Sequence, residues 1–135
     1  MNSYAMRSYN TAAVHTTVEG ATPHQLVLML FDGALRSVRQ AKTHLSRGEI
    51  GQKATCITKA IDIIDQGLRL SLDEEAGGEI AKNLAALYDY ALRRLVQANM
   101  RNDPAMLDDV LRTLEPLREA WCGIGSANAR TGTEG

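Results

Sequence analysis

Three histidines, two cysteines and a run of acids are the residues of this 135-residue chain best suited to chemistry. A metal centre inside a helical bundle needs inward-facing Glu-x-x-His pairs. None of His15, His24 and His44 has a glutamate three residues before it. His24 falls at a helix start on its polar side. His44 falls near a helix end, where a protonated ring suits the dipole. Asp73, Glu74, Glu75 and Glu79 crowd one loop, but they lack the alternating carboxylate ladder of a calcium loop and read as solvated acids. Cys56 and Cys122 are far apart and belong to no CxxC pair. They read as reduced, semi-buried thiols of a cytoplasmic protein. No GxSxG, Walker loop or GxGxxG occurs, and no Ser or Cys stands with a histidine in a suggestive order. Arg93-Arg94 reads as a solvated or ion-paired surface pair. The residues therefore support no catalysis, no metal and no cofactor.

Composition narrows the remaining classes. With 15 basic against 16 acidic residues the net charge is −1, without the basic excess of a nucleic-acid binder. The longest apolar run falls far short of the ~20 residues that cross a bilayer. Residues 1–9 carry Arg7 with no apolar stretch after it, so no secretory leader is expected. Aromatics are only 4%, and the aliphatics are mostly Leu and Ala. With no sustained strand alternation, that favours a helical core.

The elements can be placed from caps and spacing. Thr22-Pro23-His24-Gln25 opens the first helix: Thr22 as N-cap, Pro23 at the first position, Gln25 completing a capping box. The helix runs from Pro23 to about Leu45, with Val27, Phe31, Ala34, Val38, Ala41 and Leu45 inward and Gly48 as a left-handed C-terminal residue. A second helix is predicted from about Glu49 to about Leu72. It carries two parallel stripes: Ile50, Ala54, Ile57, Ile61, Ile64 and Leu68, and beside them Cys56, Ala60, Ile63, Gly67 and Leu70. Ser71–Glu79 is a turn broken by Gly77-Gly78. The third helix spans about Glu79 to Met100, with Ile80, Leu84, Leu87, Ala91, Leu95 and Ala98 inward and Ala81, Tyr88, Leu92 and Val96 beside them. Tyr88 and Tyr90 point to different faces. Asp103-Pro104 starts a fourth helix reaching about Trp121, in which Pro116 predicts a kink or an early end. Short connections make neighbours antiparallel, so the expected fold is an all-α, up-down four-helix bundle over 22–122. Residues 1–21 form an N-terminal arm, and a Gly-rich tail over 123–135 is expected to be disordered.

Two features exceed what one seam requires. The second helix is apolar over about half its circumference. Either both stripes pack on other helices, or Ile63, Gly67 and Leu70 edge a groove, with Gly67 admitting a close partner. Together with Leu87 and Tyr90 on the third helix, they are the candidate partner-binding residues. The arm over 1–21 reads as a frayed terminus or as a segment that docks on the bundle and can leave it. Surplus apolar helical surface in a bundle points to binding a partner helix. A bundle that self-associates through its second-helix face is the competing class.

In one collinear order the chain carries Met6-Arg7-Ser8-Tyr9, Ala21-Thr22-Pro23-His24-Gln25-Leu26 leading to Met29-Leu30-Phe31-Asp32-Gly33-Ala34, and Lys59-Ala60-Ile61-Asp62-Ile63-Ile64-Asp65. Ser71-Leu72-Asp73, Gly77-Gly78-Glu79-Ile80-Ala81, Asn83-Leu84, Leu87-Tyr88-Asp89-Tyr90, Leu95, Ala98-Asn99 and Ala120-Trp121 complete the order. Over residues 4–122 the chain resembles the bacterial flagellin export chaperones, the FliS family. The resemblance implies a cytoplasmic four-helix bundle without catalysis. It would bind the disordered C-terminal segment of new flagellin, prevent early polymerisation and help deliver it to the flagellar type III export gate. Other flagellar assembly factors are further candidate partners. The resemblance also implies that Met6 and Tyr9 are arm positions serving cargo or gate engagement. Pro116 departs from the family's unbroken fourth helix, and the tail has no implied role.

Overall fold

The computed structural model describes the backbone of residues 20–134, with side chains described except at 74, 76 and 125–134. Four helical segments follow one another: α1 (Pro23–Ser46), α2 (Ile50–Asp62), α3 (Glu74–Arg101) and α4 (Pro104–Glu134). Between α2 and α3 lie a π-helical turn, Ile63–Leu68, and a 3-10 turn, Arg69–Ser71. No strand occurs among the described residues. Helix α1 packs on α2 and α4, and α3 packs on α4 and α2, which is the ring of an up-down four-helix bundle.

The caps form as their residue types dictate. The Thr22 hydroxyl accepts from the Gln25 N–H at 3.1 Å, and the Gln25 side chain accepts from the Thr22 N–H at 2.9 Å, closing the capping box. At the other end of α1, Gly48 has φ +73°. Its N–H donates to the Leu45 carbonyl at 3.0 Å, and the Glu49 N–H donates to His44 at 2.9 Å, a Schellman arrangement. Asp103 caps α4 through the Ala105 N–H at 3.0 Å. Gly78, at φ 57° and ψ −130°, breaks a short first turn from the body of α3, a conformation open only to glycine.

The second helix departs from the continuous rod expected to Leu72. After Asp62 it widens into the π turn, where the Arg69 N–H reaches back to the Ile64 carbonyl. Both sequence stripes supply core residues, Ile57 and Ala60 within α2 and others through the π turn, while Ile50 and Leu70 at their ends stay exposed. Ile63, Ile64, Gly67 and Leu68 are all buried in that turn. Gly67 allows a close approach: a Cβ there would lie 2.9 Å from Cδ2 of Leu30 on α1, and that side chain would have to shift. The core stripe of α3 follows expectation at Ala91, Leu95 and Ala98, with Leu84 packed against the core, and departs from it at Ile80 and Leu87. Ala81, Tyr88, Ala91, Leu95 and Ala98 are buried, whereas Ile80 is 73% and Leu87 38% exposed. Ile80 lies in the turn just after the Gly78 break, where the bundle no longer covers it. Tyr88 decides the face further on, packing its ring 6.3 Å from Phe31; burial pushes its hydroxyl pKa up to about 12.

Helix α4 continues through Pro116 instead of ending there. Proline leaves the Arg112 carbonyl without its helical donor. Both residues are exposed, so water can take the donor's place. The last described side chain packed on the core is Trp121, close to the expected end of the bundle at 122. The described helical backbone of α4 extends to Glu134.

Polar ties fix helix to helix. Lys53 of α2 is buried; its Nζ donates to the Asn99 carbonyl at 3.0 Å and to the Asn102 side chain, closing the C-terminus of α3. Asn102 takes the left-handed φ of 51° that ends that helix. Trp121 Nε1 donates to the His24 carbonyl at 3.0 Å, His24 Nε2 donates to the Trp121 carbonyl at 2.6 Å, and the rings stack. Between α3 and α4, Asp109 accepts from the Tyr90 hydroxyl and, at 2.7 Å, from Arg94 Nε. Tyr90 and Arg94 hold the Asp109 carboxyl below its ordinary pKa, and the same contact raises that of Arg94.

Two outcomes follow from these contacts. Gly67→Val should destabilise the fold by about 1–3 kcal/mol through overpacking against Leu30. In urea melts the loss should be smaller in a Leu30→Ala background; strict additivity would refute the close approach. Asp109→Asn should cost about 1–2 kcal/mol near neutral pH. Because the folded carboxyl is depressed, the wild-type advantage is full above the ordinary range and fades as pH falls below about 4. A gap between the two proteins that persists to pH 2 would refute this role.

Candidate partner-binding surface

The sequence-derived groove residues do not come together on one surface. Ile63 (3% exposed) and Gly67 belong to the core, which corrects their assignment to a groove edge in this conformation. The close neighbour that Gly67 admits is Leu30 of the same chain. Leu70 is 49% exposed on the 3-10 turn, beside an open depression of about 560 Å³ that Leu72, Ala85 and Asp89 also line. Tyr90 turns the other way and is tied to Asp109 of α4. Leu87, three residues before Tyr90, shares that α4-facing side. Met6 and Tyr9 lie outside the described residues.

Apolar surface gathers instead along the seam between α2 and α3. Two polar ties mark this seam. At one end Lys53 bonds to Asn99 and Asn102; at the other Arg69 bridges Asp65 at 3.5 Å and Asp89 at 3.0 Å. Ile61 and Leu92 are half-buried against the core. Ile50, one turn before Lys53, is 45% exposed. Val96 and Met100 follow Asp89 by seven and eleven residues, on the same side of α3, and are 47% and 75% exposed. Helix α2 packs far more extensively on α1 than on α3, so this seam is the most thinly covered of the bundle.

Three of these residues carry a sequence signal that the periodicity obscured. Ile50 reads as the first position of a heptad seam, yet stands at the open end of its helix. Val96 and Met100 form an i, i+4 apolar pair off the Ala91–Leu95–Ala98 stripe, and such a pair has no reason to be inward. An apolar seam of this kind can bury the apolar face of an incoming helix or extended segment. It offers no nucleophile or paired acid and base. Among the described residues no group of three or more His, Cys, Asp or Glu side chains could hold a metal, and no helix is long and apolar enough to cross a membrane.

Comparison with known proteins gives this arrangement its context. Residues 5–128 match the family described as "Flagellar protein FliS". The chain is 47% identical over 116 residues to the flagellar secretion chaperone FliS of Salmonella typhimurium, covering 86% of each chain. It is 42% identical over 120 residues to the flagellar secretion chaperone FliSB of Pseudomonas aeruginosa, covering 89% of this chain and 94% of that one. The Bacillus subtilis flagellar secretion chaperone FliS is 37% identical over 117 residues, with 87% and 86% covered. The match over residues 5–128 and these identities place this chain in the FliS family of flagellar secretion chaperones, a family of chaperones and not of enzymes.

Proposed function

We propose that this protein is a cytoplasmic chaperone that holds the disordered C-terminal segment of flagellin, keeps it from polymerising early and passes it to the flagellar export gate. The observation that carries this reading is the open apolar seam between α2 and α3, in a chain related to flagellar secretion chaperones. A flagellin C-terminus becomes an amphipathic helix against its own kind. The seam offers Ile50, Ile61, Leu92, Val96 and Met100 as the missing apolar face. Folding the segment on binding consumes part of the interaction energy, which leaves an affinity compatible with later release.

A segment that wraps the bundle reaches beyond the seam. Leu70 and Leu87 serve as outlying contacts on two other sides, with Ile63 and Gly67 supporting the seam from the core. Met6 and Tyr9 of the arm engage the cargo or the gate. Tyr90 acts by holding α3 to α4.

Calorimetric titration with a C-terminal flagellin peptide should give binding with a negative heat-capacity change. No binding at about 50 μM, where even a weak complex would register, would overturn the function. A Val96→Ser/Met100→Ser double variant should weaken binding about tenfold or more, since each side chain contributes roughly 1.5–3 kcal/mol when fully buried. Leu87→Ser should weaken it about threefold or less. Wild-type affinity in the double variant would move the cargo site elsewhere. A stable dimer by light scattering that excludes the peptide would favour the self-associating bundle instead.

A further inference from the structure

The outward face of α1 carries charge that the bundle does not use. Between residues 23 and 47 stand four cations, Arg36, Arg39, Lys42 and Arg47, against the single carboxylate of Asp32, in a chain whose net charge is −1. Three of these groups are engaged by α4: Arg39 with Glu115 at 3.3 Å, Lys42 with Asp108 at 2.6 Å, and Asp32 with Arg118 at 2.9 Å. Arg36 and Arg47 are exposed and have no ion-pair partner among the described residues. They stand eleven residues apart, three helical turns, and so project from one line of α1 about 16 Å apart. Exposed Gln40 and Thr43 lie between them on the same line. Together they line an open depression of about 580 Å³.

We propose that this face docks an acidic amphipathic helix of a second protein. The helix would lie along α1 with carboxylates opposite Arg36 and Arg47 and polar side chains opposite Gln40 and Thr43. A guanidinium fork matches a carboxylate in two parallel hydrogen bonds, which a solvated lysine would not do. A straight helical partner reproduces the spacing, because its own residues i and i+11 share one face at the same separation. The face suits a protein better than a lipid surface. Anionic membranes are gripped by clusters of several cations combined with inserted apolar side chains. Here Arg36 and Arg47 flank neutral polar groups, the neighbouring Arg39 and Lys42 are already paired with Glu115 and Asp108, and none of the exposed large hydrophobic side chains lies on α1.

Helix α1 is adjacent to α2 and α4, so its outward face points away from the α2–α3 seam. Both surfaces can be occupied at once, and the proposal stands whether or not flagellin fills the seam.

The test uses the full chain and a labelled, helix-stabilised peptide of about 18 residues with Glu at i and i+11 and Gln at i+4 and i+7, read by fluorescence anisotropy at low salt. Two exposed charge pairs should give weak, salt-sensitive binding. Affinity should fall about tenfold in Arg36→Gln/Arg47→Gln, and by a similar factor when the same glutamates are spread around the peptide helix. Arg36→Glu/Arg47→Glu should bind the matching lysine peptide instead. Absence of binding, insensitivity to the two arginines or to glutamate placement, or failure of the charge swap would each overturn the proposal. Phosphatidylserine vesicles that retain the protein through Arg36 and Arg47 would reassign the face to a membrane. Flagellin-peptide affinity should be unchanged in Arg36→Gln/Arg47→Gln; its loss would make the face part of the cargo site.

Discussion

The close approach of Leu30 to Gly67 is the contact on which the bundle depends. With no Cβ at Gly67, the side chain of Leu30 sits directly against the backbone of the π turn. Nearby, a Cβ on Gly33 of α1 would lie 3.4 Å from Ile63. These two glycines let α1 and the end of the second helix close on each other. Fully buried alanines continue the theme, with Ala34 and Ala41 on α1, Ala60 on α2 and Ala91 and Ala98 on α3. Small residues at facing positions let ridges seat deeply in grooves. A core this tight needs few large rings, and Phe31 and Tyr88 supply its one described buried aromatic contact. The larger aliphatic side chains that do not fit are displaced to its edges, where Ile50, Val96 and Met100 stand.

The same turn explains what sequence reasoning can and cannot see. Caps and breakers are local, and Thr22, Pro23, Gly48, Gly78, Asp103 and Pro104 place the helix ends because each residue acts on its immediate backbone. The core stripe of α1 is legible for a similar reason: its period is regular and its polar face is clean. The second helix is not, because a π turn has no local signature. Two adjacent apolar stripes read equally well as surplus surface or as one wide buried face, and only the packing of Leu30 against Gly67 decides between them. Tertiary context likewise decides the first half of the α3 face, where Tyr88 is buried beside Phe31 and Leu87 is left exposed. Lys53 illustrates a different limit. A lysine three residues after an isoleucine looks like an exposed charge until the end of α3 is known to offer it the Asn99 carbonyl.

Two of the residues that sequence periodicity sets at a groove edge, Ile63 and Gly67, are buried, whereas Leu70 and Leu87 stay exposed. Ile57 and Ala60, one from each stripe, are already fully buried before the π turn, and Ile63, Ile64, Gly67 and Leu68 continue that wide buried face through it. The side of the second helix toward α3 is left to Ile50 and Ile61.

The bundle is consequently uneven around its ring. On the α1–α4 side, the reciprocal His24–Trp121 hydrogen bonds and ring stack stand at one end. Three ion pairs run along the same interface. Exposed ion pairs add at most about 1 kcal/mol each, so they set register more than they stabilise. On the α2–α3 side, polar ties stand only at the two ends, and half-buried aliphatic side chains fill the interval. A protein that must accept and surrender an apolar segment needs this division. The locked side keeps the helices in register while the thinly covered side gains burial with the partner and loses it on release. On the proposed function, the partner would be bound mainly through Ile50, Val96 and Met100, which stand exposed outside the core.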